Sequence, residues 1–171
     1  MTMQIARHCR AFSMVEMMIT VTILGIIGAL AAPMLSPNAT TKLRSAATVL
    51  AADLDACRAD SIAHGEDPRL IVFDTVAEAY HIAASSDPDT PLPHPTSGGD
   101  YTVTFGSADT AQLNGVTIQS VSVGGDDQLG FEIYGQLDQA ANATITLEAD
   151  GVTITLTLDA ATGEVTIGEL Q

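Results

Sequence analysis

The sequence predicts an α+β protein in which a long N-terminal helix, membrane-spanning and then amphipathic, packs on an antiparallel β-sheet domain. Three observations predict it: an uncharged apolar run near the N-terminus, an apolar stripe at helical spacing after it, and period-two β-branched segments from Arg69 onward. They divide the 171 residues into a basic N-terminal segment, a spanning helix that reaches 35, an amphipathic helix at 36–65 and a β-rich domain at 66–171; the motif around Glu16, described below, sets the first boundary, giving 1–11 and 12–35. A chain of this size buries a core without metal or disulfide staples.

The first element rests on charge. Arg7 and Arg10 precede it, and Glu16 is then the lone charged residue before Lys42. Met17 to Thr41 holds 25 uncharged residues, which as a helix would rise roughly 37 Å, enough to cross a bilayer. The arginines ahead of the run predict a cytoplasmic N-terminus and an exported remainder. An ordinary secretory signal peptide, a plain single-pass anchor and a buried soluble helix compete with this reading. Ala29-Leu30-Ala31 would suit signal cleavage.

Glu16 separates these readings, because an ionised carboxylate in a bilayer costs on the order of 2.5–3.5 kcal/mol even on the lenient insertion scale. The surrounding residues, Arg10-Ala11-Phe12-Ser13-Met14-Val15-Glu16, resemble the cleavage and methylation motif of type IV prepilins and pseudopilins. That resemblance implies a leader at 1–11, cleavage between Ala11 and Phe12 by a prepilin peptidase, N-methylation of Phe12, and an assembly role for Glu16, fifth residue of the mature chain. Pro33 matches the family's helix-kinking proline. Ala11 departs from the family's glycine before the cut. A cationic Phe12 amine and a Glu16 carboxylate on a neighbouring subunit would pair in a low-dielectric helix bundle. Met14, Met17 and Met18, and likewise Gly25 and Gly28, are expected to face lipid or neighbouring helices rather than a ligand.

The second element begins at Ser36-Pro37, a cap followed by a proline tolerated in the first turn. Leu43, Ala47, Leu50, Leu54 and Cys57 form its apolar stripe, continuing towards Ile62. His64-Gly65 with Pro68 predicts the stop, glycine taking a left-handed position.

The third element is eight strands: 69–73, 80–84, 101–105, 116–123, 129–134, 143–149, 152–158 and 164–167. Asp150-Gly151 marks a tight hairpin and Asp159 to Gly163 a longer turn. Ser85 to Gly99, with its prolines, is expected to be a surface loop.

Composition limits the chemistry. All six basic residues lie within the first 69 positions, and 15 of the 21 acidic residues follow Leu70. Such a domain repels polyanions, so no nucleic-acid partner is expected. With Cys9 in the leader and Cys57 on the stripe, no intrachain disulfide is expected. Cys57, His64, His81 and His94 show no metal-ligand spacing, and Asp87, Asp89, Asp126, Asp127 and Asp150 lack the pattern of an EF-hand loop. No metal, cofactor or catalytic motif is expected, so the protein is read as non-enzymatic. Asn38 and Asn142 begin Asn-x-Thr triplets, a short pattern that arises by chance.

One long helix followed by strands is similar to the H-type minor pseudopilins of type II secretion, the GspH/FimT-like family, and so to a pilin-like fold. Leu54 to Ile62 leading into a strand at Leu70, and Ile145 to Ile167 with its Thr162-Gly163 turn, carry that similarity. It implies a minor structural subunit of a type II secretion pseudopilus or a related type IV pilus-like filament. Its place would be the bacterial inner membrane, crossed once, with the C-terminal domain in the periplasm and other pilins or pseudopilins as partners. The alternatives are a minor pilin for DNA uptake or adhesion, and a secreted or anchored β-domain that binds glycan or protein.

Overall fold

The computed structural model describes residues 13–31 and 38–171, and the chain forms two compact units, Met1–Pro37 and Asn38–Gln171. In the first, helix α1 runs over Met14–Ala31. The Ser13 carbonyl accepts the Met17 N–H at 3.1 Å. Thr20 and Thr22 fold their hydroxyls back onto the carbonyls of Met17 (2.9 Å) and Met18 (2.7 Å), which hides two polar groups in an apolar helix.

In the second unit, helix α2 spans Ala39–Ala63. Its cap is Asn38, whose Oδ1 accepts the Thr41 N–H at 2.9 Å, so the start expected at Ser36-Pro37 is corrected to Asn38. The chain then buries Leu43, Ala46, Ala47, Leu50, Leu54, Cys57 and Ser61. Ile62, expected to extend this stripe, is 51% exposed. Ser61 takes the inward position instead, because its hydroxyl bonds both the N–H (2.8 Å) and the carbonyl (3.1 Å) of Arg69. His64, not Gly65, closes the helix, with φ −118° and its N–H on the Asp60 carbonyl.

Nine strands follow: β1 Arg69–Asp74, β2 Ala79–Ala84, β3 Asp87–Pro91, β4 Thr102–Thr104, β5 Thr117–Ser122, β6 Gln128–Gly130, β7 Ala143–Ala149, β8 Val152–Leu158 and β9 Val165–Ile167. They make two antiparallel sheets, one ordered β3-β2-β1-β6 with β4 also on β2, the other β5-β7-β8-β9. Two details differ from the sequence-based expectation. β3 lies inside the stretch expected to be a loop; prolines are tolerated there because it is an edge strand with no second partner to lose. The expected strand at 129–134 stops at Gly130, where the chain turns and Asp138 donates its N–H back to the Gly130 carbonyl at 3.1 Å.

The core lies between α2 and the sheets, with α2 against β1, β7, β8 and β9. β7 buries every second residue, Ala143, Ile145, Leu147 and Ala149, and β8 supplies Ile154, Leu156 and Leu158. Asp150 (φ 52°) and Gly151 (φ 79°) both take left-handed conformations, the geometry of a two-residue turn that pairs all seven residues of β7 and β8. Tyr80 packs with Phe73 at 6.1 Å and Phe105 at 6.0 Å, filling the scarce aromatic part of an aliphatic core. The Glu78 carboxylate accepts the Ile118 N–H and so ties the two sheets together.

Candidate functional site

Residues 14–27 of α1 are exposed within the described structure. Met14 is 82% exposed, Met18 65% and Leu24 67%, and apolar side chains occupy all sides of the helix. A helix apolar all round requires an apolar medium, either lipid or other helices. Gly25 meets nothing within 4 Å where a Cβ would stand, which leaves that face open to close approach. Glu16, in the first turn, is the one charged residue of α1.

Among the described residues no helix is long and apolar enough to cross a membrane. The 18 residues of α1 rise about 27 Å, short of the roughly 20-residue span a bilayer core requires. Ala11 and Phe12, expected at the cleavage and methylation site, and Pro33, expected at the kink, lie outside the described residues. Glu16 is therefore the one expected site residue whose position the structure gives.

The domain holds a polar arrangement that sequence reasoning missed. Tyr80 Oη donates to Asp53 Oδ2 at 2.6 Å, and Tyr101 Oη donates to Asp53 Oδ1 at 3.0 Å. Burial, the Asp53 charge and the hydrogen bond to it push the Tyr101 phenol up to about 12 and the Tyr80 phenol well above its ordinary range. The available signal was small: Asp53 sits beside Leu54 of the apolar stripe, where an acid has few solvated positions. A second unforeseen contact joins Arg69 Nε to Asp60 Oδ2 at 2.7 Å, which pins the end of α2 to the start of β1.

A cavity of about 290 Å³ lies between α2 and the turn after β3, lined by Cys57, Asp60, Ile82, Leu92, Pro95 and Tyr101 among others. Cys57 is buried, and desolvation with the nearby Asp60 charge raises its thiol pKa, so it stays protonated. His81 Nε2 lies 2.9 Å from the Pro88 carbonyl, His94 packs on Tyr101 at 4.5 Å, and His64 Nδ1 lies 3.0 Å from Asp60. Each of these three histidines thus has a local partner. Among the described residues no three His, Cys, Asp or Glu side chains converge to hold a metal. Of the Asn-x-Thr positions, Asn38 caps α2 and Asn142 Oδ1 accepts the Ala160 N–H at 2.9 Å.

An apolar N-terminal helix with one early acid, followed by a second helix and antiparallel sheets, is an arrangement consistent with a pilin-like class of protein. Comparison with known proteins agrees. Residues 6–32 match the family model described as the prokaryotic N-terminal methylation motif. The type IV minor pilin FimU of Pseudomonas aeruginosa PAO1, in one crystal form, shares the fold at TM-score 0.50 and 16% identity over 74% of this chain and 88% of that one. A second crystal form of FimU gives 0.49 and 15% over 74% and 93%. No curated protein matches the chain. The chain thus carries the N-terminal methylation motif of prokaryotic pilins ahead of a domain of type IV pilin fold, consistent with the GspH/FimT-like resemblance.

Proposed function

We propose that this protein is a minor structural subunit of a type II secretion pseudopilus or a related type IV pilus-like filament, with no catalytic role. The observation that carries the reading is the methylation motif over residues 6–32 in the same chain as a pilin-like α+β domain. In this reading a prepilin peptidase removes 1–11, cuts between Ala11 and Phe12, and N-methylates Phe12. Residues 12–35, bent at Pro33, anchor the subunit in the bacterial inner membrane and enter the filament core, while 36–171 stands in the periplasm. The apolar circumference of α1 supports this placement, since it has no stable home in water. Other pilins or pseudopilins are the partners. The unit from Asn38 to Gln171 carries four basic and twenty acidic residues, which argues against DNA capture.

The test is N-terminal mass spectrometry of the protein from membranes of a host with an intact prepilin peptidase. The expected terminus is N-methylated Phe12. A chain starting at Ala32 or Pro33 would overturn the reading and leave a secreted β-domain.

A further inference from the structure

The sheet edges of the domain are treated unequally. At β5, the Glu78 carboxylate takes the outward Ile118 N–H. At β6, the Asp138 N–H occupies the Gly130 carbonyl. β3 carries Pro88 and Pro91 with Asp87 and Asp89, residues that discourage pairing. β9, three residues long and flanked by Glu164 and Glu169, has among the described residues no side chain or loop capping its edge and no proline. Asp159 donates to the Glu164 carbonyl at 3.1 Å and Gly168 to the Thr155 carbonyl at 2.8 Å, so the even-numbered positions face β8. Val165 and Ile167 therefore turn N–H and C=O outward, and these groups have no hydrogen-bond partner among the described residues. Val165 to Gly168 contains neither charge nor proline.

The surroundings of this edge suit a strand. Ile167 lies opposite Leu156, on the core side of the sheet, yet is 41% exposed. Beside it a groove of about 350 Å³ is lined by Arg44 and Thr48 of α2 and by Ile167, Gly168, Glu169 and Leu170, among others. Arg44 is exposed and makes no salt bridge among the described residues.

The geometry points to strand addition at β9: an extended segment of a different filament subunit pairs with Val165 and Ile167 as a fifth strand of the β5-β7-β8-β9 sheet. Backbone hydrogen bonds supply the affinity and alternate side chains the selectivity. On the α2 side, the incoming strand places an apolar side chain over Ile167 and a carboxylate within reach of Arg44. A second copy fits poorly, since edge-to-edge pairing would bring together two units that each carry twenty acidic and four basic residues. This inference rests on the filament reading above.

The experiment compares hydrogen exchange over residues 159–171 of the full chain, in sheared filaments and in detergent-solubilised subunits. Strand addition slows β9 amide exchange roughly tenfold or more in the filament. Ile167→Pro deletes an outward N–H that β8 does not use, together with the Ile167 side chain; the variant is expected to fold but to be lost from filaments. Ile167→Ala, which loses the side chain and keeps the N–H, is retained better than Ile167→Pro, and Ile167→Val is retained like wild type. Absence of wild-type protein from filaments would overturn both readings. Wild type in filaments with unchanged β9 exchange would overturn strand addition alone, and so would normal incorporation of a folded Ile167→Pro variant. A dimer of solubilised subunits with the same protection would overturn the choice of occupant. If Ile167→Pro does not fold, the wild-type exchange comparison decides.

Discussion

Asp53 shows how one side chain can hold a helix against a sheet. It reaches from α2 to two phenols, and Tyr80 is 1% exposed, so its hydroxyl has no water to fall back on. Asp53→Ala leaves that donor unsatisfied, and a loss of about 1–3 kcal/mol is expected in urea melts of the full chain in detergent. The same contact predicts a response to alkali. Both phenols have folded pKa values raised above 10, Tyr101 to about 12. A raised folded pKa means the contribution is intact below the unfolded value near 10 and is lost as pH climbs through 12. Melting temperature should therefore fall between pH 10 and 12, and less steeply in Asp53→Asn, where the anion that disfavours phenolate is gone. Cys57 provides a further check at this scale. A buried thiol whose pKa is raised reacts as thiol rather than thiolate, so a thiol reagent should label it only as the protein unfolds. Immediate labelling of native protein at pH 8 would mean the packing around α2 is looser than described.

At the scale of elements, turn chemistry separates two glycines. Gly151 has φ 79° with nothing within 4 Å of a Cβ, whereas Gly163 has φ 65° and a Cβ there would strike the Gly135 carbonyl and the Arg58 side chain. Gly151→Ala is expected to cost about 1–2 kcal/mol, the left-handed strain alone. Gly163→Ala should cost clearly more, because backbone must also move; equal losses in thermal melts would contradict the close approach. These elements also show what was legible in the sequence. Alternating burial in β7 and β8 and the Asp150-Gly151 turn were readable because period two and positive φ are local properties. β3 was not, since its proline and aspartate composition favours a loop and only the neighbouring β2 makes it a strand. The cap at Asn38 competed with Ser36, and Ile62 competed with Ser61. In both cases a hydrogen bond decided the outcome, to the Thr41 N–H and to Arg69, and the pairing with Arg69 is invisible to periodicity. The Asp53 contacts span 27 and 48 residues, so they too arise from tertiary structure.

For the molecule as a whole, the proposed role depends on joining two unlike surfaces. One unit offers an apolar helix; the other carries a strongly acidic β-domain. A helix like α1 packs with copies or relatives by van der Waals contact, which has little axial register of its own. A single acid in the first turn supplies register if it meets a fixed cation, and the Phe12 amine of a neighbouring subunit is the cation the processed chain would present. Removing the carboxylate should leave the anchor intact, because Glu16 costs on the order of 2.5–3.5 kcal/mol in a bilayer and leucine does not. Glu16→Leu is therefore expected to resist alkaline extraction from membranes as well as wild type does, yet to be missing from sheared filaments. Glu16→Gln keeps the shape and removes the charge, so it should fail in the same way if charge pairing sets register. Normal incorporation of Glu16→Gln would assign the position to hydrogen bonding or packing, and normal incorporation of Glu16→Leu would remove Glu16 from assembly altogether.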